Sequence, residues 1–457
     1  MKRRKFLGVL GAASLGAGLP RLGFAESAKG SPCITTQDGN HLAGMTLRQL
    51  RDSLHNELFD VVLPFWDKHG VDHEYGGVMC SLDYDGTLVN TEKLLWFQGR
   101  ALWVYSFLYN HFGQDPRHLE IARKTKDFVL KHGKQEDGWW AEKLSREGKI
   151  LKQFEGDIDG PFFIAEGLQE YAVAAKDQQA RETAIELFTK LCRYFNRPEY
   201  RYSGPDFPEL KPDGPCVRPQ GTWMMNLSVG TEILQHGKHP EVEAIVERAL
   251  DAIIHRHYNP EIGLNIEMLN YDFTRPEGLE RKVRLGHGIE IFWMAMDEAD
   301  RRGDRALWDT CADRIHHALD VAWDNVYGGM AQWVNVDQGG YQWPPEKPVG
   351  TNFDFRFVGE YNYMKTLWGM NEVLVATLRV FERTKADWAA QYYAKAYQIL
   401  TDRFRLKKRG LPGYVLFTDR RFTFEPHAVR QDNYHPIRQL MLNIQTLDRM
   451  LGNKEKS

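Results

Sequence analysis

Residues 284–322 read RLGHGIEIFWMAMDEADRRGDRALWDTCADRIHHALDVA. Apolar residues recur at i, i+3, i+4 and i+7 through 286–301 and again through 303–322, which predicts two helices joined by a tight turn. The same periodicity recurs outward from this pair in both directions. It marks twelve segments, at 46–69, 92–113, 116–132, 161–176, 178–195, 222–236, 239–257, 286–301, 303–322, 361–382, 385–404 and 434–452. The connections alternate in length. Those after the second, fourth, sixth, eighth and tenth helices are very short, and those before them run to roughly 20 to 40 residues, giving a period of about 60 to 75 residues.

The long connections share a composition. EYGGVMCSLDYDGTLVN, DGWWAEKLSREGKIL, EIGLNIEMLNYDF, YGGMAQWVNVDQGGYQW and GLPGYVLFTDRRFTF each place Gly and Asp between arms of alternating apolar residues, the signature of a short β-hairpin. Six helix pairs, tight at one end and hairpin-bearing at the other, describe an all-α fold: an (α/α)6 barrel with its long loops on one face. A binding cleft is expected at that face, because loops on a rigid scaffold carry function. Two unrelated helical domains would be the rival arrangement, but no linker rich in Pro, Gly or Ser divides the chain. The expected organisation is an export signal at 1–25, a linker at 26–45 and a single barrel domain at 46–452.

The signal rests on MKRRKFLGVLGAASLGAGLPRLGFAES, with a basic start, an apolar run of small residues and a small-residue site near Ala25. The pair Arg3-Arg4 followed by Lys-Phe-Leu resembles a twin-arginine signal, so the expected location is periplasmic or secreted, with a transient encounter with the twin-arginine export machinery. No other apolar stretch approaches the length of a membrane span, so no stable membrane anchor is expected. Cys33, Cys80, Cys192, Cys216 and Cys311 are odd in number and scattered, which gives no disulfide framework. A net charge of −3 over 457 residues implies no nucleic-acid or other highly charged partner. A chain of this length can bury roughly 75% of its unfolded surface. Its 13 Trp and 19 Tyr serve either as core filler or as stacking platforms for a sugar.

The polar residues at the starts of the even helices are the informative ones, since those ends face the loop side. Trp96, Arg100 and Trp103 form one stripe of the second helix. An arginine on such a stripe is either paired with a structural carboxylate or offers its planar fork of donors to a ligand. Asn226 lies in an apolar run of the sixth helix, where a helix–helix hydrogen bond is the plain alternative. His287 and Glu290 share a face of the eighth helix, and Trp368 and Glu372 share a face of the tenth. Pro436 suits the first position of the twelfth helix, leaving His435 at its N-terminal end, with Arg438 three residues on. The helix N-terminus disfavours an imidazolium there.

Two histidines converging on one cleft suit proton transfer near neutral pH. In an open-chain aldose the C1 aldehyde acidifies the C2 proton. Removal gives an enediol or enediolate; return to C2 on the other face epimerises the sugar, and return to C1 makes a ketose. Arg100 is placed to stabilise the developing oxyanion, and Glu290 to orient His287 as the carboxylate of a triad does. No HExxH or similar ligand set, phosphate-binding glycine loop or GxSxG elbow occurs, so neither a metal nor any other cofactor is expected.

At these residues the chain resembles the N-acylglucosamine 2-epimerase family, which includes cellobiose 2-epimerases and aldose–ketose isomerases. FWDKHGVDHEYGGVMCSLDYDGTLVNTEKLLWFQGRALW, LGHGIEIFW, KTLWGMNE and YHPIR carry the likeness across nearly the whole mature chain. The resemblance implies an (α/α)6 barrel, a sugar substrate and proton transfer without a cofactor. It implies an acid/base pair at His287 and His435, with Glu290 beside the first. It also implies substrate binding by Arg100 and Asn226, with Trp368 and Glu372 matching a further family stretch; Trp96 and Arg438 complete the expected site. Three positions depart from the family pattern. Leu367 replaces the first of two adjacent tryptophans. Leu227 stands where cellobiose epimerases have a further histidine, which weighs against a disaccharide. Arg430 stands where a tryptophan is common, and its charge suits an acidic sugar. Two alternatives remain at this level: a glycoside hydrolase or lyase of the same barrel type using paired carboxylates such as Asp157 and Asp159, and a non-catalytic exported sugar-binding protein.

Overall fold

Four of the five tight turns between helices are built from a left-handed residue followed by an extended one that starts the next helix. Gln114, Lys176, Gly303 and Lys385 have φ of 53°, 53°, 69° and 56°. Asp115, Asp177 and Asp304 follow three of them and cap helices, accepting from the backbone N–H of Arg117, Ala180 and Leu307 at 2.9, 3.0 and 3.0 Å. At Lys176, Gly303 and Lys385 a single αL residue ends one helix and the next residue begins the other, so a reversal costs almost no chain; at Gln114 the preceding Gly113, φ 85°, is left-handed too.

The computed structural model describes residues 39–202, 216–277, 279–280, 282–335, 339–340, 364–406, 415–417 and 427–452. The export signal expected at 1–25 and most of the linker expected at 26–45 lie outside the described residues. Residues Ile34–Ser457 belong to one compact unit. Its helices are α1 (Leu47–Asn56), α2 (Leu63–His69), α3 (Leu95–His111), α4 (Pro116–His132), α5 (Asp159–Ala175), α6 (Gln178–Phe195), α7 (Gln220–Gln235), α8 (Pro240–Asp251), α9 (Leu285–Arg302), α10 (Arg305–Ala322), α11 (Leu367–Thr384), α12 (Asp387–Ile399) and α13 (His435–Met450). A π-helical turn, Glu57–Val62, joins α1 to α2, and similar turns, Ala252–Arg256 and Leu400–Phe404, extend α8 and α12. The twelve helical segments expected from periodicity are all present.

The odd-numbered helices from α3 to α13 each contact the next, and α13 contacts α3, which closes an inner ring. The others pack outside it, making the (α/α)6 barrel. The sequence separates the two rings. In α5 every residue from Gly160 to Ala172 is buried, whereas α4 buries only Ala122, Thr125, Phe128 and Val129, one narrow stripe.

The loop face carries short antiparallel pairings. Lys143–Leu144 pairs with Ile150–Lys152, as expected for that hairpin. Other loops differ from expectation. Residues 71–90 make only isolated bridges, Val71 with Val78 and Leu82 with Leu88, and close instead through tight turns such as Gly76 N–H to the Asp72 carbonyl and Gly86 N–H to the Asp83 carbonyl. Met268–Asn270 pairs back with Val217–Pro219; Trp333–Asn335 pairs with Gly339–Gly340, as expected for its hairpin, but also with Lys282–Arg284. Val415–Phe417 pairs with Met364–Thr366; the remaining residues of that expected hairpin are outside those described. These strands shorten the inner helices: α3 starts at Leu95 rather than 92, and α11 at Leu367 rather than 361.

Each of four such strands sends a buried cation into the loop face just before an inner helix. Lys93 Nζ meets Asp72 Oδ2 at 2.9 Å and the carbonyls of Gly76 and Arg146 at 2.6 and 2.8 Å. Lys365 Nζ meets Asp324 Oδ2 at 2.7 Å. Arg218 donates to the carbonyls of Tyr200 and Arg197 at 3.0 and 2.6 Å, and Lys282 is 2% exposed, 4.9 Å from the Trp333 ring centroid. The turns around Asp72 and Asp324 read DHEYGG and DNVYGG, with Gly76 at φ 83° and no room for a Cβ, which would lie 2.5 Å from the Lys124 carbonyl oxygen.

Candidate active site

Each inner helix delivers its polar residues in vertical pairs, because residues three or four apart share a face. Trp96 and Arg100 descend α3, His287 and Glu290 descend α9, Trp368 and Glu372 descend α11, and His435 and Arg438 descend α13. A cleft of about 460 Å³ opens over them, lined among others by Trp96, Arg100, Phe163, His287, Glu290, Trp368, His435 and Arg438.

The upper layer centres on Trp368, whose helix lies between α9 and α13 in the ring. The His287 and His435 rings pack on this indole with centroids 5.5 and 5.6 Å away. Each histidine is tied through Nδ1 to a carboxylate. His435 Nδ1 is 2.6 Å from Asp432 Oδ2, while Asp432 Oδ1 accepts the backbone N–H groups of Tyr434 and His435 at 3.0 and 3.2 Å. His287 Nδ1 is 2.8 Å from Glu267 Oε1, and the other oxygen of Glu267 accepts from Gln220 Nε2 at 2.7 Å. A carboxylate on Nδ1 fixes the tautomer that leaves Nε2 as an acceptor. Burial lowers the pKa of His435, against the opposing pull of Asp432. Burial would raise Asp432, but His435 and, further off, Arg100 hold it well below the usual carboxylate range.

The lower layer is an ion cluster. Arg438 Nη2 donates to Glu290 Oε1 and, at 2.9 Å, to Glu372 Oε1, and its Nη1 meets the Tyr434 hydroxyl at 3.2 Å. Trp293 Nε1 donates to the other Glu372 oxygen at 2.8 Å, and the Tyr434 hydroxyl donates to Glu166 Oε1 at 2.8 Å. Burial pushes Glu372 and Glu166 up to about 7 despite Arg438. For Glu290 burial is outweighed by Arg438 and by both histidines, which lower it. Donor atoms of Glu290, Glu372 and His435 lie within 4.8 Å of one another, close enough to hold an ion. Arg438 already spans the two carboxylates, so the positive charge a metal would bring there is supplied by a guanidinium.

Arg100 is held by ring faces, 4.8, 4.3 and 4.8 Å from the centroids of Trp96, Phe163 and Tyr434. Its Nε makes no hydrogen bond among the described residues. Trp96 and Phe163 stack with their planes 6° apart.

Three expectations need correction. The carboxylate on His287 is Glu267, not Glu290: a residue three positions along a helix lies below its neighbour, and there Glu290 meets Arg438. Asn226 does not line the cleft. It is fully buried and accepts from Cys192 Sγ at 3.4 Å, while Met224 and Met225 take the cleft side. Glu372 is also fully buried, one turn beneath Trp368. Trp96, Arg100, His287, Glu290, Trp368, His435 and Arg438 do line the cleft, and so do Asp157 and Asp159. Glu267, Gln220 and Asp432 were not anticipated. A lone Glu between Ile266 and Met268 on an expected strand is a weak signal for the first, and an Asp three residues before His435 a stronger one for the last.

The family model for N-acylglucosamine 2-epimerase (GlcNAc 2-epimerase) matches residues 76–438. The N-acylglucosamine 2-epimerase of Bos taurus is 27% identical over 377 residues, which is 80% of this chain and 83% of the bovine protein. The cellobiose 2-epimerase of Bacteroides fragilis is 28% identical over 341 residues, 68% of this chain and 83% of that protein. The structure of cellobiose 2-epimerase from Spirochaeta thermophila superposes with a TM-score of 0.71 at 18% identity, covering 89% of this chain and 98% of that one, and so shares the fold.

Proposed function

The chain belongs to the N-acylglucosamine 2-epimerase family and is a carbohydrate epimerase or isomerase; from that premise we propose that it moves a proton at C2 of an open-chain aldose between His287 and His435. The observation that carries this is the pair of imidazoles packed on Trp368, each with Nδ1 held by a carboxylate. Both therefore present Nε2 as a base, or when protonated as an acid, to one bound sugar.

His435, whose pKa burial lowers, takes the proton or His287 does, according to the direction of reaction. Arg100, gripped by three rings with N–H donors in its own plane, supplies positive charge to the oxygen of the enediolate. The partner imidazole returns a proton to C2 on the opposite face, giving the epimer, or to C1, giving the ketose. Arg438, Glu290 and Glu372 hold the floor: the cluster sets the position of the α9, α11 and α13 segments that carry the two bases and the indole between them. The related enzymes named above act on N-acylglucosamine and on cellobiose, which makes N-acylhexosamines and free aldoses the first substrates to try.

The test is sugar turnover in deuterated water, followed by NMR at C2. Loss of the C2 proton signal with appearance of epimer or ketose is expected, and His287→Ala and His435→Ala should each lower the rate by about 10²–10⁴-fold. An absence of exchange across aldoses and N-acylhexosamines, or exchange that survives both substitutions, would count against the proposal.

The proposal includes location: the residues 1–25 signal exports the folded chain by the twin-arginine route, so the sugar is met outside the cytoplasm. Arg3→Lys with Arg4→Lys should retain the protein in the cytoplasmic fraction; unchanged fractionation would sink this part.

A further inference from the structure

A second cavity lies behind the wall that carries His435. Its volume is about 70 Å³, and it sits between α11 and α13 of the inner ring and α1, α2 and α12 outside it. Leu54, Trp66, Leu374 and Leu440 make much of its lining; Glu57 and Arg405, which also line it, pair with each other at 2.8 Å. Asp432, the carboxylate that holds His435, lines both this cavity and the cleft, and it is the one described residue common to the two.

Two buried amides border the same cavity. Asn371 stands one turn below Trp368 on α11, and Gln439 one turn below His435 on α13; they are 3% and 4% exposed. Asn371 Nδ2 donates to Gln439 Oε1 at 3.4 Å. Asn371 Oδ1 and Gln439 Nε2 have no partner among the described residues, and leaving such groups unpaired in a folded core is costly. Asp432 has capacity left as well. An ionised carboxylate has about four acceptor positions, and three take the backbone N–H groups of Tyr434 and His435 and the His435 Nδ1.

One acceptor position of Asp432, one of Asn371 and one donor of Gln439 therefore belong to the lining of a single small space. A buried water needs two to four polar partners and takes up about 30 Å³, so the space suits two. Resting on the proton-transfer function proposed above, we propose that two internal waters join Gln439 and Asn371 to Asp432, and that the two amides are positioning residues for His435. One water donates to Asp432. The other accepts from Gln439 Nε2, donates to Asn371 Oδ1 and bonds the first.

A water donating to Asp432 shares its negative charge and slackens its hold on a protonated His435. Taking the water away leaves that charge to the imidazolium alone, so the His435 pKa rises. The pair is also faced by Arg100 from α3 and Glu290 from α9, by Arg430 and Cys80 beside Asp432, by His287 across Trp368, and by Tyr434, Arg438 and Glu372 below. Glu57 and Arg405 face it across the cavity. A substitution at Asn371 or Gln439 removes none of these groups.

The experiment uses the full chain as wild type, as the double variant Asn371→Leu with Gln439→Met, as Gln439→Met alone and as Asn371→Ser. Diffraction from wild-type crystals should show two ordered waters, one within hydrogen-bond reach of Asp432 and one between the amides. In the double variant apolar atoms take their place. The acidic limb of its kcat/KM profile should move up by about half a pH unit and kcat should fall about tenfold, with KM and the unfolding midpoint close to wild type. Gln439→Met alone gives the same readout should the double variant fail to fold. Asn371→Ser keeps an acceptor and leaves room for a further water, and should keep the wild-type limb. A dry cavity, a larger molecule in it, or waters out of reach of Asp432 overturns the proposal by diffraction alone, whether or not the variants fold. A limb that stays or moves down in a folded Gln439→Met or double variant overturns the positioning role, and a limb that moves up equally in Asn371→Ser overturns the part played by water. Turnover of no sugar strikes the proton-transfer function and the positioning role with it, while the diffraction result still decides the waters.

Discussion

At His435 the carboxylate lies three residues upstream, on the turn that starts α13, and the histidine is 7% exposed. At His287 the carboxylate comes from Glu267, 20 residues upstream on another loop, and 17% of the side chain is exposed. The hydrogen-bonding pattern is the same, Nδ1 on a carboxylate, yet one station is made by local chain geometry and the other by the barrel's topology. The local station is the drier, with 9% of its side chain exposed. The topological one depends on the packing of Met268–Asn270 against Val217–Pro219, the pairing that carries Glu267 and Gln220 to α9.

The largest expected effect comes from exchanging the two carboxylates for amides. Asp432→Asn removes the anion that fixes the His435 tautomer and should lower kcat/KM by about 10²–10⁴-fold. Glu267→Gln should cost about 10–100-fold, because water can reach the more exposed His287 ring. Asp432 also raises the pKa of His435, so its loss lowers that pKa further. The acidic limb of the kcat/KM profile, where a base becomes protonated, should move to lower pH in Asp432→Asn. Equal losses in the two variants, or a limb that moves to higher pH, would break the distinction between the stations.

A smaller effect should separate them sterically. A Cβ at Gly221 would lie 2.9 Å from His287 Cε1 and 3.3 Å from Nδ1. Gly221→Ala should displace the imidazole by a few tenths of an ångström and lower kcat about tenfold, with little change in thermal unfolding. Kinetics at wild-type levels would show that His287 has slack in its seat.

The smallest effect on activity concerns the buried acids below His435. One turn beyond Glu166 on α5, Glu170 accepts from Asn110 Nδ2 at 2.6 Å, and burial pushes it up to about 7 from 4.5. Below pH 4.5 the carboxyl is protonated in both the folded and unfolded chains. Between 4.5 and 7 only the folded chain holds the proton, so wild-type stability falls as pH rises. Glu170→Gln carries no such proton. By pH 8 the variant should have gained about 3 kcal/mol relative to wild type, compared with pH 4. Denaturant midpoints at the two pH values measure this, and parallel shifts would show that Glu170 ionises as freely folded as unfolded.

The barrel was legible because its evidence is repetitive: helical periodicity sets each segment, and short connections ending in Asp115, Asp177 and Asp304 set the pairing. The same logic located Trp96, Arg100, His287, Trp368, His435 and Arg438, since a residue near the start of an inner helix must face the loops. It failed where contact depends on depth or on a neighbouring loop. Glu290 shares a face with His287 but lies a turn below it, so helical spacing named the wrong carboxylate. Glu267 reaches His287 only through a strand pairing between loops of different repeats, which no periodicity encodes. Asn226 sits beside two cleft-facing methionines, and a 100° rotation per residue turns it to Cys192 instead.

The buried cations ahead of the inner helices have a consequence for how such a barrel can change. Lys93, Arg218, Lys282 and Lys365 fasten the chain two or three residues before the helices that bear the site. Chain inserted upstream of a fastening point is mechanically insulated from the helix downstream. Loops upstream of Lys93 and Lys365 can therefore be lengthened or exchanged to suit a different sugar while α3 and α11 keep their places, which makes those two fastenings the natural junctions for grafting.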